Sequence, residues 1–192
     1  VFMLDLGANL ECSAEDLFQF AVMGDAYARA VLQMQYPRVG LLNVGAEDHK
    51  GHPEIREAGK MLKHSSLDIN FRGFIEGNDV PMGAVDVVVA DGFGGNIMLK
   101  TAEGTAKLMS AFLKDAFQSN FWTKLAYLLA SKTMGRLKKR LDPRRYNGAM
   151  FLGLNGVAVK SHGGADAYAF SHAIRKAYDL VKKDTNQRII QE

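Results

Sequence analysis

The sequence holds a single cysteine, only four prolines and one tryptophan, and it contains no long apolar run. Cys12 cannot close an internal disulfide, which excludes the stapled scaffolds of secreted domains and makes a reducing compartment the expectation. The scarcity of proline and the absence of any repeat or low-complexity tract exclude collagen-like, disordered and coiled-coil chains. The most apolar stretch, Val85-Asp86-Val87-Val88-Val89-Ala90, falls far short of the ~18 residues that read as a membrane span. What remains is an ordinary globular composition, 47% hydrophobic and 23% charged over 192 residues, enough for one domain.

Charge of either sign is nearly balanced overall, at +3, but it is unevenly placed. Between Gln118 and Tyr146 stand Lys124, Lys132, Arg136, Lys138, Lys139, Arg140, Arg144 and Arg145 against one acid, Asp142, so this segment carries +7 and the rest of the chain −4. A local rather than a general attraction for anions is implied.

Strand-like and helix-like segments alternate. Strands are predicted over 2–6, 38–44, 69–74, 85–90 and 156–161, with a further apolar stretch at 149–154. Ser13 with Asp16 forms a capping-box start for a helix that stops before Pro37. Further helices are predicted over 54–64, 96–118 and 166–183. Short apolar strands separated by helices imply an α/β chain with a largely parallel sheet covered on both faces. The glycine-rich and polar residues gather in the loops after the strands: Gly7-Ala8-Asn9, Gly45 to Gly51, Asp91 to Asn96, and His162 to Asp166. In open parallel sheets such loops converge on a ligand crevice at the carboxyl edge.

Three of these loops carry chemistry. Gly92, Gly94 and Gly95 let backbone N–H groups approach an anion at a helix start, and Asn96 adds a neutral side-chain donor for a phosphate or a carbonyl. The plainer reading is a strand-to-helix turn with Asn96 as the cap. The spacing is neither a dinucleotide fingerprint nor a Walker loop. In the second loop Lys50 can donate to phosphate or to a developing oxyanion, against the reading of an ordinary surface lysine. His49 and His52 lack further ligands at metal spacing and read as a solvated pair. In the third loop, Lys160, His162 and Gly163 combine a cation, a group suited to acid–base work near neutrality and a flexible turn. Asp5 and Asn9 can orient these neighbours, though Asp5 also suits a simple strand-end cap.

Phe117, Phe121, Trp122, Leu125, Leu128 and Leu129 fall on one helical face, followed by the basic cluster that includes Lys138, Lys139 and Arg140. That pattern describes an interfacial amphipathic helix held by apolar burial and by anionic lipid. An oligomer contact with a solvated basic loop is the alternative, and no nucleic-acid-binding module is present.

With these motifs in place, the chain resembles the bacterial phosphate acyltransferase (PlsX) family. The resemblance rests on Leu4-Asp5-Leu6-Gly7-Ala8-Asn9, Gln19 to Gly24, Arg38 to Gly45 with Asn43, Lys50-Gly51, Ala90 to Asn96, Leu99 to Gly104, Tyr146-Asn147-Gly148 and Asn155 to Gly163. Together these blocks span nearly the whole chain. The resemblance implies a three-layer αβα sandwich of the isocitrate/isopropylmalate dehydrogenase type, related to phosphotransacetylases. It implies transfer of a long-chain acyl group from acyl-carrier protein to inorganic phosphate, giving an acyl-phosphate for phospholipid synthesis. It implies catalysis at Lys50 and Asn96, to which the loop chemistry adds His162 as an assisting group. Substrate binding is expected at Asn9, Asn43, Gly45, Asp91, Gly92, Gly94, Gly95, Lys160 and Gly163, with no cofactor and no metal. The expected partners are acyl-carrier protein, inorganic phosphate, a membrane glycerol-3-phosphate acyltransferase, an anionic membrane surface and a second copy of the chain, but no nucleic acid. The expected location is the cytoplasm, peripherally at the inner face of the membrane.

Family members open upstream of Val1 with a glycine-rich strand and loop. The chain is therefore expected to be one α/β catalytic domain, 1–192, lacking its N-terminal part, with 118–146 as an amphipathic basic insertion. Two other functions stay open on the residues alone: a short-chain phosphate acetyl- or butyryltransferase acting on acyl-CoA, and a non-catalytic membrane-docking module that binds acyl-carrier protein.

Overall fold

A computed structural model describes residues 1–191. The chain divides into two compact units, one made of Val1–Met98, Met150–Ala158 and the chain from Tyr178, the other of Leu99–Ala149 and Val159–Ala177.

The first unit is built on a parallel sheet. Its strands are β1 (Phe2–Leu4), β2 (Arg38–Leu42), β3 (Asn70–Ile75) and β4 (Val87–Val89), in the order β1-β4-β2-β3. Phe2, Met3 and Leu4 pair with Val87, Val88 and Val89, which in turn pair with Val39, Gly40 and Leu41. Strand alternation sends Val87 and Val89 to one face and Val88 to the other, and all three are fully buried. On the first face lies α1 (Ala14–Ala30), whose Ala14, Leu17, Ala21 and Ala28 recur at helical spacing and pack on Val39, Leu41, Val87 and Val89. Beside it α2 (Pro53–His64) adds Ala58 and Leu62 against Phe74. Each large aliphatic side chain buried here contributes about 1.5–3 kcal/mol. On the second face Ile75, Val85 and Val88 meet Met3, Leu42 and Val80, the last from the short helix α3 (Asp79–Met82). Arg38 fixes the start of β2. Its backbone N–H and guanidinium donate to the Asp86 carboxylate, and the guanidinium also reaches the carbonyls of Gly83 and Ala84.

The α/β class with a largely parallel sheet, expected from the strand pattern, is the one observed. Several boundaries differ. β1, β2 and β4 are shorter than their apolar runs, ending at Leu4, Leu42 and Val89. α1 ends at Ala30, leaving Val31 and Leu32 beyond it. The segment 91–95, read as a loop, is instead helical from Gly92: α4 spans Gly92–Gln118, so Asn96 lies inside it and is not its cap. β5 (Ala149–Phe151) and β6 (Ala158–Lys160) form a separate two-stranded sheet rather than extending the parallel one. After α6 (Ala167–Lys182) a further helix, α7 (Thr185–Gln191), packs on α1.

The second unit holds most of α4, then α5 (Phe121–Leu141), capped reciprocally by Asn120 and Thr123, and a 3-10 turn at Pro143–Tyr146. None of the residues of α5 is buried. No helix among the described residues is long and apolar enough to cross a membrane.

Candidate active site

Parallel strands end on the same side, so the loops after β1, β4 and β2, three neighbours in the sheet, open at one edge. Asp5 organises the first of them. Its carboxylate, in a residue only 8% exposed, accepts from the backbone N–H of Gly7 (2.8 Å), Ala8 (2.9 Å) and Asn9 (2.6 Å) and from the Asn9 amide (3.0 Å). Burial alone would raise this carboxyl, but the donors from Ala8, Asn9 and Gly7 outweigh it and hold it below the usual carboxylate range. Asp5 thus does more than end a strand: it sets both the backbone and the side chain of Asn9.

The first turns of α4 dock on that loop. The Gly92 N–H donates to the Asn9 carbonyl (2.7 Å), and the Asn96 amide donates to the Leu6 carbonyl (3.0 Å). Asp91 caps the helix, its side chain accepting from the Gly94 N–H and its carbonyl from the Gly95 N–H. Gly95 is required by the approach itself, since a Cβ there would collide with the Asp5 carbonyl oxygen. Gly7 has φ +120 and lies so close to Asn96 that a Cβ would sit 2.9 Å from its amide nitrogen. The helix start therefore spends the Gly92, Gly94 and Gly95 donors inside the protein. What the helix start leaves over is the N–H of Phe93, an exposed residue, together with the second amide hydrogen and the Oδ1 of Asn96. Among the described residues none of these has a hydrogen-bond partner.

The third loop carries Lys50. Asn43, buried at the end of β2, donates its amide to the Lys50 carbonyl (3.1 Å) and so fixes the backbone of the loop. Its Oδ1 is buried without a partner among the described residues. Lys50 Nζ pairs with Glu47 at 2.7 Å. This hydrogen bond and its charge raise the lysine above its ordinary range and lower Glu47 below the usual carboxylate range, so Lys50 is a cation and donor, never a base, near neutrality. Gly45 is buried beneath both side chains. Glu47 is the residue the sequence motifs did not single out; its position three before Lys50 in the same loop is the signal that points to it. Cys12, whose Sγ lies 3.5 Å from the Asn9 carbonyl, is raised by burial and by nearby acids, which keeps it a neutral thiol.

Asn9, Asn43, Gly45, Lys50, Asp91, Gly92, Gly94, Gly95 and Asn96 all belong to the first unit, whereas Lys160, His162 and Gly163 belong to the second. There His162 is exposed. Its backbone N–H donates to Asn147 Oδ1 (2.9 Å) and its Nδ1 accepts from the Gly164 N–H (3.0 Å), which leaves the ring proton on Nε2. Asn147 in turn donates to Ser161 Oγ and the Ala169 carbonyl, both at 2.9 Å. The candidate membrane residues Phe121, Trp122, Leu125, Leu128 and Leu129 are all exposed on α5, at 71%, 73% and 83% for Phe121, Trp122 and Leu129, and Lys138, Lys139 and Arg140 occupy its last turn. Among the described residues no group of three or more His, Cys, Asp or Glu side chains is arranged to hold a metal ion.

A parallel sheet with helices packed on it, whose strand ends carry the Lys50 and Asn96 loops, places the chain among the open α/β proteins. The chain belongs to the fatty acid synthesis protein family, whose model matches residues 1–188. It is 60% identical over 190 residues to the phosphate acyltransferase of Rhodospirillum centenum, covering 99% of this chain and 54% of that protein. The phosphate acyltransferase of Paramagnetospirillum magneticum is 58% identical, with the same coverage. That of Magnetococcus marinus is 52% identical, over 97% of this chain and 55% of its own length. The chain thus spans about half the length of the curated relatives it matches.

Proposed function

We propose that the chain is part of a phosphate acyltransferase that moves a long-chain acyl group from acyl-carrier protein to inorganic phosphate. The observation that carries this reading is the placement of the Lys50 loop and the Asn96 helix at the carboxyl ends of the adjacent strands β2 and β4, in a family whose relatives are named phosphate acyltransferase. The finer scaffold reading is the isocitrate/isopropylmalate dehydrogenase-like sandwich shared with phosphotransacetylases.

Inorganic phosphate, as HPO₄²⁻, binds Lys50 and is aligned on the thioester carbon, so that an attack between two solutes becomes one within a single complex. A phosphate oxygen forms the new C–O bond, and the carbonyl oxygen becomes an oxyanion that accepts from the free Asn96 amide hydrogen or the Phe93 N–H. Collapse breaks the C–S bond. The proton of the phosphate passes to the departing sulfur, giving acyl-phosphate and the free carrier-protein thiol with atoms and charge balanced. Asn9, Asn43, Gly45, Asp91, Gly92, Gly94 and Gly95 shape the site rather than react. No covalent enzyme intermediate is needed, in keeping with Cys12 as a neutral thiol.

The product is a hydrolysis-prone amphiphile, best released at a bilayer to a membrane glycerol-3-phosphate acyltransferase. The exposed apolar face and basic last turn of α5 support peripheral association with the inner face of the cell membrane. Leu108, Met109 and Phe112, exposed on α4, are of the kind that two copies bury in a homodimer.

The deciding assay is phosphate-dependent release of carrier-protein thiol from palmitoyl-acyl-carrier protein by the full-length protein and its Asn96→Ala variant. Loss of one oxyanion donor is expected to lower kcat by about 10²–10³. Turnover within a factor of a few of the parent refutes the role of Asn96. Absence of phosphate dependence in the parent refutes the acyltransferase reading and favours a docking module for acyl-carrier protein.

A further inference from the structure

The second unit contains a cavity of about 450 Å³ that the proposed reaction does not use, lined by Arg136, Lys139, Arg140, Arg145, Tyr146 and His172. Three of its cations come from the C-terminal turns of α5 and the fourth from the 3-10 turn. That turn is folded back on the helix: the Arg145 guanidinium donates to the Lys139 carbonyl and the Tyr146 hydroxyl to the Arg140 carbonyl, both at 3.5 Å.

Carboxylates that could neutralise this cluster are engaged elsewhere. Asp142 and Asp166 both bind Arg144, at 2.7 and 2.9 Å. Among the described residues Arg136, Lys139, Arg140 and Arg145 have no carboxylate within ion-pair distance. Four cations without an ion-pair partner around one cavity repel each other, and an anion seated among them relieves that cost. Three are guanidiniums, whose planar forks match phosphate oxygens in pairs. The same helix exposes Phe121, Trp122, Leu128 and Leu129, which want hydrocarbon rather than water. A ligand with a phosphate at one end and acyl chains at the other meets both requirements.

We propose that this cavity is a discrete site for the phosphate headgroup of an anionic lipid, with Arg136 and Arg145 as its bidentate contacts. The inference rests on the membrane reading of α5 and goes beyond it: a polybasic surface attracts a charged bilayer without regard to which cation supplies the charge, whereas a headgroup site depends on the guanidinium fork.

The test uses the full-length protein and dihexanoyl phosphatidate below its critical micelle concentration, so that no charged surface is present. Calorimetry is expected to give saturable one-to-one binding. Arg136→Lys with Arg145→Lys keeps the charge and the fold but is expected to weaken binding by about ten-fold or more. Lys124→Gln with Lys132→Gln, which removes two charges elsewhere on α5, is expected to change it by no more than about two-fold. Three results overturn the proposal: no saturable binding, an unchanged affinity in the arginine-to-lysine pair, or inorganic phosphate competing at the same concentration as the lipid, which makes the cavity a free-phosphate site. Flotation with phosphatidylcholine vesicles carrying phosphatidylglycerol separates the two levels. Flotation without binding of the monomeric lipid refutes the headgroup site and leaves the membrane reading intact, whereas loss of flotation refutes both.

Discussion

Asp5 is the residue on which the candidate site's geometry most depends, because one carboxylate satisfies three consecutive backbone donors and aims Asn9. Removing the acceptor with Asp5→Ala leaves three partly exposed N–H groups without it, at a cost of about 1 kcal/mol. The pH dependence follows from its lowered pKa. A carboxyl whose folded pKa lies below its unfolded value, ordinarily about 3.9, stabilises the fold at all pH above that value. The contribution is lost as pH falls through the folded pKa. Thermal unfolding of the wild type and Asp5→Asn is expected to show a wild-type advantage at pH 7 that shrinks below about pH 4. A constant difference down to the most acid buffer contradicts it. Asp5 and Asn9 were legible in the sequence as polar residues, at a strand end and in the loop after it, able to orient their neighbours. The direction of their bonding was not, since three successive N–H groups turning onto one carboxylate depend on a loop shape that spacing does not encode.

Among the elements, α4 separates local from tertiary information. The Ser13–Asp16 box that starts α1 is written within four residues and was legible as such. The start of α4 was not, because Gly92-Phe93-Gly94-Gly95 has poor helix propensity and reads as a loop. Packing decides otherwise: only glycine lets this turn lie against the Asp5 carbonyl, and Asp91 supplies the cap. Gly95→Ala is expected to push α4 off the β1 loop, lowering both thermal stability and phosphate-dependent turnover. If the variant keeps the melting temperature and turnover of the parent, the close approach is not needed. The Arg38–Asp86 anchor likewise escaped prediction, since its partners lie 48 residues apart. The pairing of β5 with β6 escaped it too, because nothing in two short apolar runs says which sheet they join.

Across the whole molecule, the feature most legible beforehand was the charge asymmetry, since an isolated basic and apolar segment needs no tertiary knowledge to notice. The structure adds that none of α5 is buried. Trp122→Glu with Leu125→Glu is expected to abolish vesicle flotation of the full-length protein while leaving turnover on soluble acyl-carrier protein within about two-fold, because the charges fall where apolar surface would enter lipid. Undiminished flotation contradicts the membrane role of this helix.

The bond from Asn96 to the Leu6 carbonyl joins residues 90 positions apart, and that from Gly92 to Asn9 spans nearly as many. Together they act as a clasp on a loop that encloses α1, α2 and three of the four parallel strands. Closing so long a loop is entropically costly and forms no local contact in return. A chain in which β1 has come away can keep α1, α2 and the β2–β3 pair while losing the orientation of Asn96. Loss of the site's geometry then precedes loss of secondary structure, and helix content alone is a poor measure of whether this protein can work.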